Sequence, residues 1–167
     1  MRRRFDEELQ LLNKKLIEMG AQCEEVIRLA AAALTEGRAE QVQKVKPMDA
    51  EIDRMERDIE SLCLKLLLQQ QPVARDLRQI SAALKMITDM ERIGDQATDI
   101  AEILNTGSVH VPVTAIPLQE MADYAMHMVN DSVTAYVEGK SDLAKKVISS
   151  DDILDNLFDK VRNALDQ

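Results

Sequence analysis

The chain has 167 residues, of which 46% are hydrophobic and 31% charged, and this composition is typical of a folded globular protein. Its net charge is −9, and basic residues are not interleaved with aromatic ones, which argues against a nucleic-acid-binding protein. Aromatic residues make up only 2% and strong helix formers dominate, so the composition predicts an all-α fold.

The apolar residues are spread along the chain in short runs. No run approaches the ~20 apolar residues that cross a bilayer, and no apolar segment follows the basic residues 2–4 as in a signal peptide. Cys23 and Cys63 have neither redox nor zinc spacing, so we interpret them as small core residues. We therefore expect a cytoplasmic protein without membrane insertion.

The first predicted helix runs from about Phe5 to Glu36. Its apolar residues alternate three and four positions apart, which keeps one stripe facing a partner helix: Phe5, Leu9, Leu12, Leu16, Met19, Cys23, Val26, Ala30 and Ala33. A second helix begins near Ala39, and Pro47 is expected either to kink it or to restart it. The third runs from Asp76 to Asn105, with Leu77 and Ile80 opening its stripe, and short connections predict an antiparallel bundle.

The helical pattern stops at residues 107–117, which contain two prolines. We interpret this stretch as a linker between a three-helix domain, 1–106, and a second domain, 118–167. The second domain carries a fourth helix, from Leu118 to a terminating Gly139, and a fifth from about Ser141.

The second domain repeats the first. Shifting the sequence by 102 residues aligns 16–61 with 118–163 without a gap and gives ten identities, including Asp49/Asp151 and Asp53/Asp155. A counterpart of the third helix is absent, which we interpret as a truncation rather than as a natural end. A second copy of the chain would then cover the exposed apolar face of helices four and five, so we expect a homodimer.

Three carboxylate pairs are spaced four residues apart, which puts both members on one helix face: Asp49/Asp53, Glu91/Asp95 and Asp151/Asp155. Like charges at this spacing destabilise a helix unless something compensates, and a cation bound by oxygen ligands is one compensation. Asp49 and Asp151 have a second explanation, because acids in the first turn of a helix are stabilised by free N–H groups. Glu91/Asp95 lies well inside its helix, where that explanation fails. The neighbouring Gly94 predicts a close approach by another helix or a ligand.

The run QQQPVARDLR (69–78), followed by ERIGD (91–95) and IAE (100–102), resembles the PhoU family closely. The acidic run DAEID (49–53), with Glu56 and Ile59, is also similar to that family. The resemblance covers essentially the whole chain. It implies tandem three-helix bundles, of which the second lacks its third helix here.

The resemblance also implies a function. PhoU-like proteins are negative regulators of phosphate uptake and of the phosphate-starvation response, and they are not enzymes. The implied partners are the ATPase subunit of the phosphate ABC transporter and a sensor histidine kinase, which would bring the protein to the inner membrane as a peripheral component. Alternatives are an adaptor of a low-affinity phosphate permease and a metalloenzyme with a carboxylate-bridged centre.

The family's acidic motifs imply metal ligands at Asp49, Asp53, Glu91, Asp95, Asp151 and Asp155. The expected metal is iron, manganese or magnesium, with zinc as an alternative. Arg75, Asp76 and Arg78, at the start of the third helix, are expected to be exposed and to dock a partner. Their alternative role is the ordinary electrostatics of a helix start.

Overall fold

A computed structural model of the chain describes residues 2–36, 39–69, 73–105 and 118–139. Over these ranges the protein is all-α, with α1 at Arg2–Glu36, α2 at Ala39–Gln69, α3 at Ala74–Asn105 and α4 at Leu118–Glu138. None of these four helices is long and apolar enough to cross a membrane. The predicted linker, the fifth helix and the pair Asp151/Asp155 lie outside the described residues.

Helix α1 is central and packs against each of the other three. Its predicted stripe is confirmed, since Leu12, Leu16 and Met19 are fully buried and only Leu9 is half-buried. Ion pairs fix its direction against α2: Lys15 Nζ lies 2.5 Å from Asp58 Oδ2, and Lys65 Nζ lies 3.3 Å from Glu8 Oε1. The two helices are therefore antiparallel, as the short connection between them predicts.

Helix α2 runs as one element through Pro47, so the predicted restart does not occur. A proline inside a helix leaves the carbonyl four residues earlier without its usual donor. Val45 and Ile52 are both fully buried, which anchors the helix on either side of the proline. The packed apolar face, rather than local propensity, keeps this helix continuous.

Helix α3 begins two residues before the predicted start. The Asp76 carboxylate accepts a hydrogen bond from the Val73 N–H at 3.2 Å, and the Leu77 N–H bonds the Val73 carbonyl at 3.1 Å. An acid in the first turn that reaches back to the preceding N–H is a capping arrangement. Asp76 is 1% exposed, so the expectation that it is an exposed docking residue is wrong. Arg75 and Arg78 are exposed as expected.

Helix α4 lies antiparallel on α1, with Val129 and Val133 packed on Gly20. A Cβ at Gly20 would lie 2.9 Å from Val133 Cγ2, so glycine is what allows the two backbones to approach this closely. The helix ends where predicted, at Gly139, whose φ of +69° is in the left-handed region that favours glycine.

The core is built from aliphatic side chains and methionine. The predicted core role of Met19 is confirmed, Met121 and Met128 of α4 are also buried, and both cysteines are buried and free. The prediction for Leu77 is wrong: it is 42% exposed, while Ala83 on the same helix is fully buried.

Candidate metal centre

Two of the predicted carboxylate pairs meet where α2 crosses α3. One carboxylate oxygen from each of Asp49, Asp53 and Asp95 lies within 4.8 Å of the others. Glu91, one turn before Asp95 on α3, lies within hydrogen-bonding reach of the Asp95 carboxyl group. The two i, i+4 pairs therefore form a single acidic cluster that joins the two helices.

Gly94 explains why the helices come so close at this point. A Cβ built on Gly94 would lie 3.2 Å from Asp49 Oδ1 and 3.4 Å from Ile52 Cδ1. The Asp49 carboxylate thus lies directly against the α3 backbone, in space that any other residue would fill. The close approach predicted from Gly94 is confirmed, and it positions the acidic cluster.

Two carboxyl groups of the cluster, those of Asp49 and Glu91, have raised pKa values. Burial, reinforced by the charges of Asp95 and Asp53, raises the pKa of Asp49 from 3.8 to about 6. The hydrogen bond to Asp95, with burial and the neighbouring acids, raises the pKa of Glu91 from 4.5 to about 8. Without a cation, these two carboxyl groups therefore stay protonated to higher pH than ordinary carboxyl groups do.

Glu56 belongs to the same group, one turn along α2 from Asp53. Burial, followed by the charges of Asp53, Glu60 and Asp95, raises its pKa, and Arg57 opposes this only weakly. Asp49 Oδ1, Asp53 Oδ1 and Glu56 Oε2 are shielded from solvent, and no donor among the described residues reaches them. Shielded carboxylate oxygens without donors are costly for the protein, unless a cation takes the place of the donors.

One neutral side chain moderates the repulsion. Thr98, one turn beyond Asp95 and 7% exposed, lies within hydrogen-bonding reach of Asp49 and lowers the pKa of that carboxyl group. Its hydroxyl also lies 2.9 Å from the Gly94 carbonyl, to which it can donate instead. A single hydroxyl proton cannot satisfy both acceptors, so Thr98 offsets only part of the charge of the acidic cluster.

The structure separates the predicted site residues into three groups. Asp49, Asp53, Glu91 and Asp95 come together, Asp151 and Asp155 lie beyond the described ranges, and Arg75 and Arg78 lie near the opposite end of α2. Asp49 is ten residues past the start of α2, so the first-turn explanation for its pair with Asp53 is wrong. Glu56 was part of the quoted acidic run but was not assigned, and Thr98 carries no signal in the sequence.

The donors of the acidic cluster fit a hard cation. All are carboxylate oxygens, which suit magnesium, calcium, manganese and iron better than they suit copper. Within the described ranges, no other group of three acidic, histidine or cysteine side chains comes close enough to hold an ion. His127 is exposed on α4, and the thiols of Cys23 and Cys63 are buried with raised pKa values, which makes them poor ligands.

We expect Gly94→Ala to weaken metal binding without unfolding the protein. The added methyl group would push the Asp49 carboxylate aside by a few tenths of an ångström, while alanine gains about 1 kcal/mol of helix propensity. The affinity for Mn²⁺, measured by calorimetric titration, should fall about tenfold, as for other disturbed ligand positions. Gly20→Ala is the control, because it crowds α4 and should lower the melting temperature without changing the Mn²⁺ affinity. If Gly94→Ala bound Mn²⁺ as tightly as Gly20→Ala does, this role of Gly94 would be contradicted.

Comparison with known proteins finds similar chains that align with nearly the whole of this sequence. A family model described as "PhoU domain" matches residues 16–104 and 118–167. The "phosphate-specific transport system accessory protein PhoU homolog" of Synechocystis is 34% identical over 96% of this chain and 72% of its own length. The protein of the same name from Aquifex aeolicus is 35% identical over 95% of this chain and 72% of its own length. The crystal structure of PhoU from Pseudomonas aeruginosa matches with a TM-score of 0.81 at 28% identity, over 95% of this chain and 77% of that one.

Proposed function

Because the chain belongs to the PhoU family, we propose that it is an accessory protein of a phosphate-specific transport system and a negative regulator of phosphate uptake. The support is similarity over nearly the whole chain to relatives that carry this name, together with the shared helical fold. We further propose that it acts by binding partner proteins in the cytoplasm rather than by catalysis.

The acidic cluster between α2 and α3 is the observation that suggests a mechanism. Asp49, Asp53 and Asp95 would hold a metal ion, and Glu91 and Glu56 extend the set of oxygen donors. A bound cation would supply positive charge where the helices bring like charges together. Iron, manganese and magnesium are the proposed occupants, with zinc as the alternative.

The charge on the carboxyl groups of the acidic cluster determines how the site affects α2 and α3. Without a cation, Glu91 and Asp49 hold protons at higher pH than ordinary carboxyl groups do. When all of the carboxylates are charged, mutual repulsion acts to separate α2 from α3. The spacing and stiffness of this helix pair therefore depend on how the acidic cluster is neutralised, and a docking surface formed by the pair would depend on it too.

The proposed partners are the ATPase subunit of the phosphate ABC transporter and a sensor histidine kinase. When phosphate is plentiful, the protein would contact both and hold the kinase in its non-activating state. Exposed Arg75 and Arg78 are proposed partner contacts. Asp76 supports them indirectly, because its hydrogen bond to the Val73 N–H fixes the start of the helix that carries both arginines.

The test is an affinity capture from cells grown in high or low phosphate. The unmodified chain is compared with Glu91→Ala/Asp95→Ala and with a charge-matched control, Asp99→Ala/Glu102→Ala, whose two acids are exposed on the same helix. We expect phosphate-dependent capture of the transporter ATPase or the kinase, weakened only by the first double variant. If Glu91→Ala/Asp95→Ala captures the same partners as the unmodified chain, regulation does not depend on the acidic cluster. Capture of a low-affinity permease, without either partner, would overturn the proposed function.

A further inference from the structure

An apolar surface lies at the end of the bundle where α2 finishes and α3 starts. The side chains there are unusually exposed for their type: Leu64 is 49% exposed, Leu68 86%, Val73 58% and Leu77 42%. Leu64 and Leu68 are one turn apart on α2, and the Leu77 N–H bonds the Val73 carbonyl at the first turn of α3. Only residues 70–73 connect the two helices, so these side chains share one end of the bundle. We call Leu64, Leu68, Val73, Leu77, Arg75 and Arg78 the hairpin-end surface.

The charge around this surface is opposite to that of the whole chain. Residues 61–88 contain four basic residues and one acidic residue, Asp76, in a protein of net charge −9. Lys65 pairs with Glu8 and Lys85 with Asp89, so Arg75 and Arg78 supply the positive charge of this surface. Asp76 is buried, and its carboxylate accepts a hydrogen bond from the Val73 N–H. Its negative charge therefore faces the first turn of α3 and not the surface. The neighbouring start of α1, residues 2–8, carries three basic and three acidic residues and changes this balance little.

Arg75 and Arg78 are available to a ligand. Both are exposed, and among the described residues no acidic side chain forms an ion pair with either. The other arginine–glutamate contacts on α1 and α2 show the contrast, since Arg28 pairs with Glu25 and Arg54 with Glu51. Arginines that have no acidic partner among the described residues and flank exposed leucines fit an anionic, partly apolar partner.

We propose that the hairpin-end surface binds the surface of an anionic lipid bilayer directly. Interfacial binding needs aliphatic side chains that enter the headgroup region, with cations beside them to contact lipid phosphates. The hairpin-end surface supplies both at a projecting end of the bundle.

The net charge of −9 does not prevent such binding. At physiological salt, charges more than about 8 Å from a surface are largely screened, so the residues nearest the bilayer dominate. Asp53 and Leu64 are eleven positions apart on α2, which places the acidic cluster about 17 Å along the helix from the hairpin-end surface. The proposed orientation turns the leucines and arginines to the bilayer and keeps the acidic cluster in water.

This inference goes beyond the proposed function and does not rest on it. The sequence predicts no inserted segment and a membrane location reached only through partners, whereas the hairpin-end surface would make a direct contact. The contact involves side chains at one end of a helix pair, so it agrees with the finding that none of the described helices can span a bilayer. The binding is expected to be weak and reversible, because few residues take part.

Vesicle sedimentation with the full chain tests the proposal. Vesicles of phosphatidylcholine alone are compared with vesicles containing phosphatidylglycerol, at low and at raised salt. The charge variant is Arg75→Gln/Arg78→Gln, and its control, Arg28→Gln/Arg54→Gln, removes the same charge elsewhere. The apolar variant is Leu64→Gln/Leu68→Gln, and its control is Ile17→Gln, an exposed residue on α1. Circular dichroism verifies that every variant is folded.

We expect binding to the anionic vesicles alone, with salt weakening it and each hairpin-end variant lowering the partition coefficient about tenfold. The controls should bind like the unmodified chain. Equal binding to neutral vesicles, no binding at all, or equal losses in the controls would each overturn the proposal. Vesicle binding that survives in the arginine variant, while capture of the transporter ATPase is lost, would overturn the lipid contact and leave these arginines as contacts of a protein partner alone. That last result would leave the proposed function intact.

Discussion

The Glu91→Ala/Asp95→Ala variant is expected to bind Mn²⁺ at least about 100-fold more weakly than the unmodified chain. The variant removes Asp95, one of the three carboxylates that converge within 4.8 Å, together with the acid bonded to it. Asp49 and Asp53 would remain on a single helix, without donors from α3 to close the site. The measurement is calorimetric titration of the protein after chelation, supported by metal analysis of protein purified without chelator.

The control for this prediction is Asp99→Ala/Glu102→Ala. It removes two exposed acids from the same helix and changes the net charge equally, so a loss caused by general electrostatics would appear in both variants. Mn²⁺ affinity that falls in the control as much as in the test variant would show that no specific site exists between α2 and α3. Glu56→Gln should have an intermediate effect, since Glu56 adjoins Asp53 but lies outside the convergent three.

The metal-free protein is expected to lose stability as the pH rises from about 5 to about 9. The pKa of Glu91 is raised from 4.5 to about 8, and that of Asp49 from 3.8 to about 6. A carboxyl group whose pKa is higher in the folded state stabilises the fold while it is protonated. Its contribution is fully present below the unfolded pKa and is lost as the pH passes the folded one. The free energy of unfolding, from urea titrations in chelator, should fall by about 1–2 kcal/mol after allowance for solvent screening.

Glu91→Gln should remove most of the decline between about pH 7 and pH 9, because glutamine stays neutral where Glu91 ionises. Glu102→Gln, exposed on the same helix, is the control and should leave the decline unchanged. Saturating Mn²⁺ should reverse the slope in the unmodified chain, since the charged carboxylates bind the ion and protonation competes with it. Metal-free stability that rises across this range would contradict the raised pKa values.

The sequence predicts the helices better than it predicts their junctions. The spacing of Leu12, Leu16 and Met19 repeats over enough turns to define the buried face of α1, and the structure confirms it. The start of α3 depends on one hydrogen bond between Asp76 and Val73, so a shift of two residues turned an expected surface acid into a buried cap. Leu77 was assigned to the core by continuing its stripe to the helix end, where no neighbouring helix covers it completely.

Only part of the candidate site could be predicted, because local spacing can be read from the sequence and helix packing cannot. Pairs four residues apart on one helix are visible in the sequence, so Asp49/Asp53 and Glu91/Asp95 could be found. Their convergence depends on how α2 and α3 align, which is set by packing around Ile52 and Gly94 and not by local spacing. The rest of the acidic cluster could not be predicted: Glu56 lies among several acids on α2, and only burial distinguishes it from its exposed neighbours.

Because the chain lacks tryptophan, its tyrosines can serve as an intrinsic fluorescence probe. The sequence has no tryptophan, and its two tyrosines, Tyr124 and Tyr136, are both on α4. Tyr136 is half-buried and lies close to Gln79 of α3 and Cys63 of α2, so its emission depends on contacts that α4 makes with the rest of the bundle. Intrinsic fluorescence of the unlabelled protein therefore reports how α4 docks on the other helices.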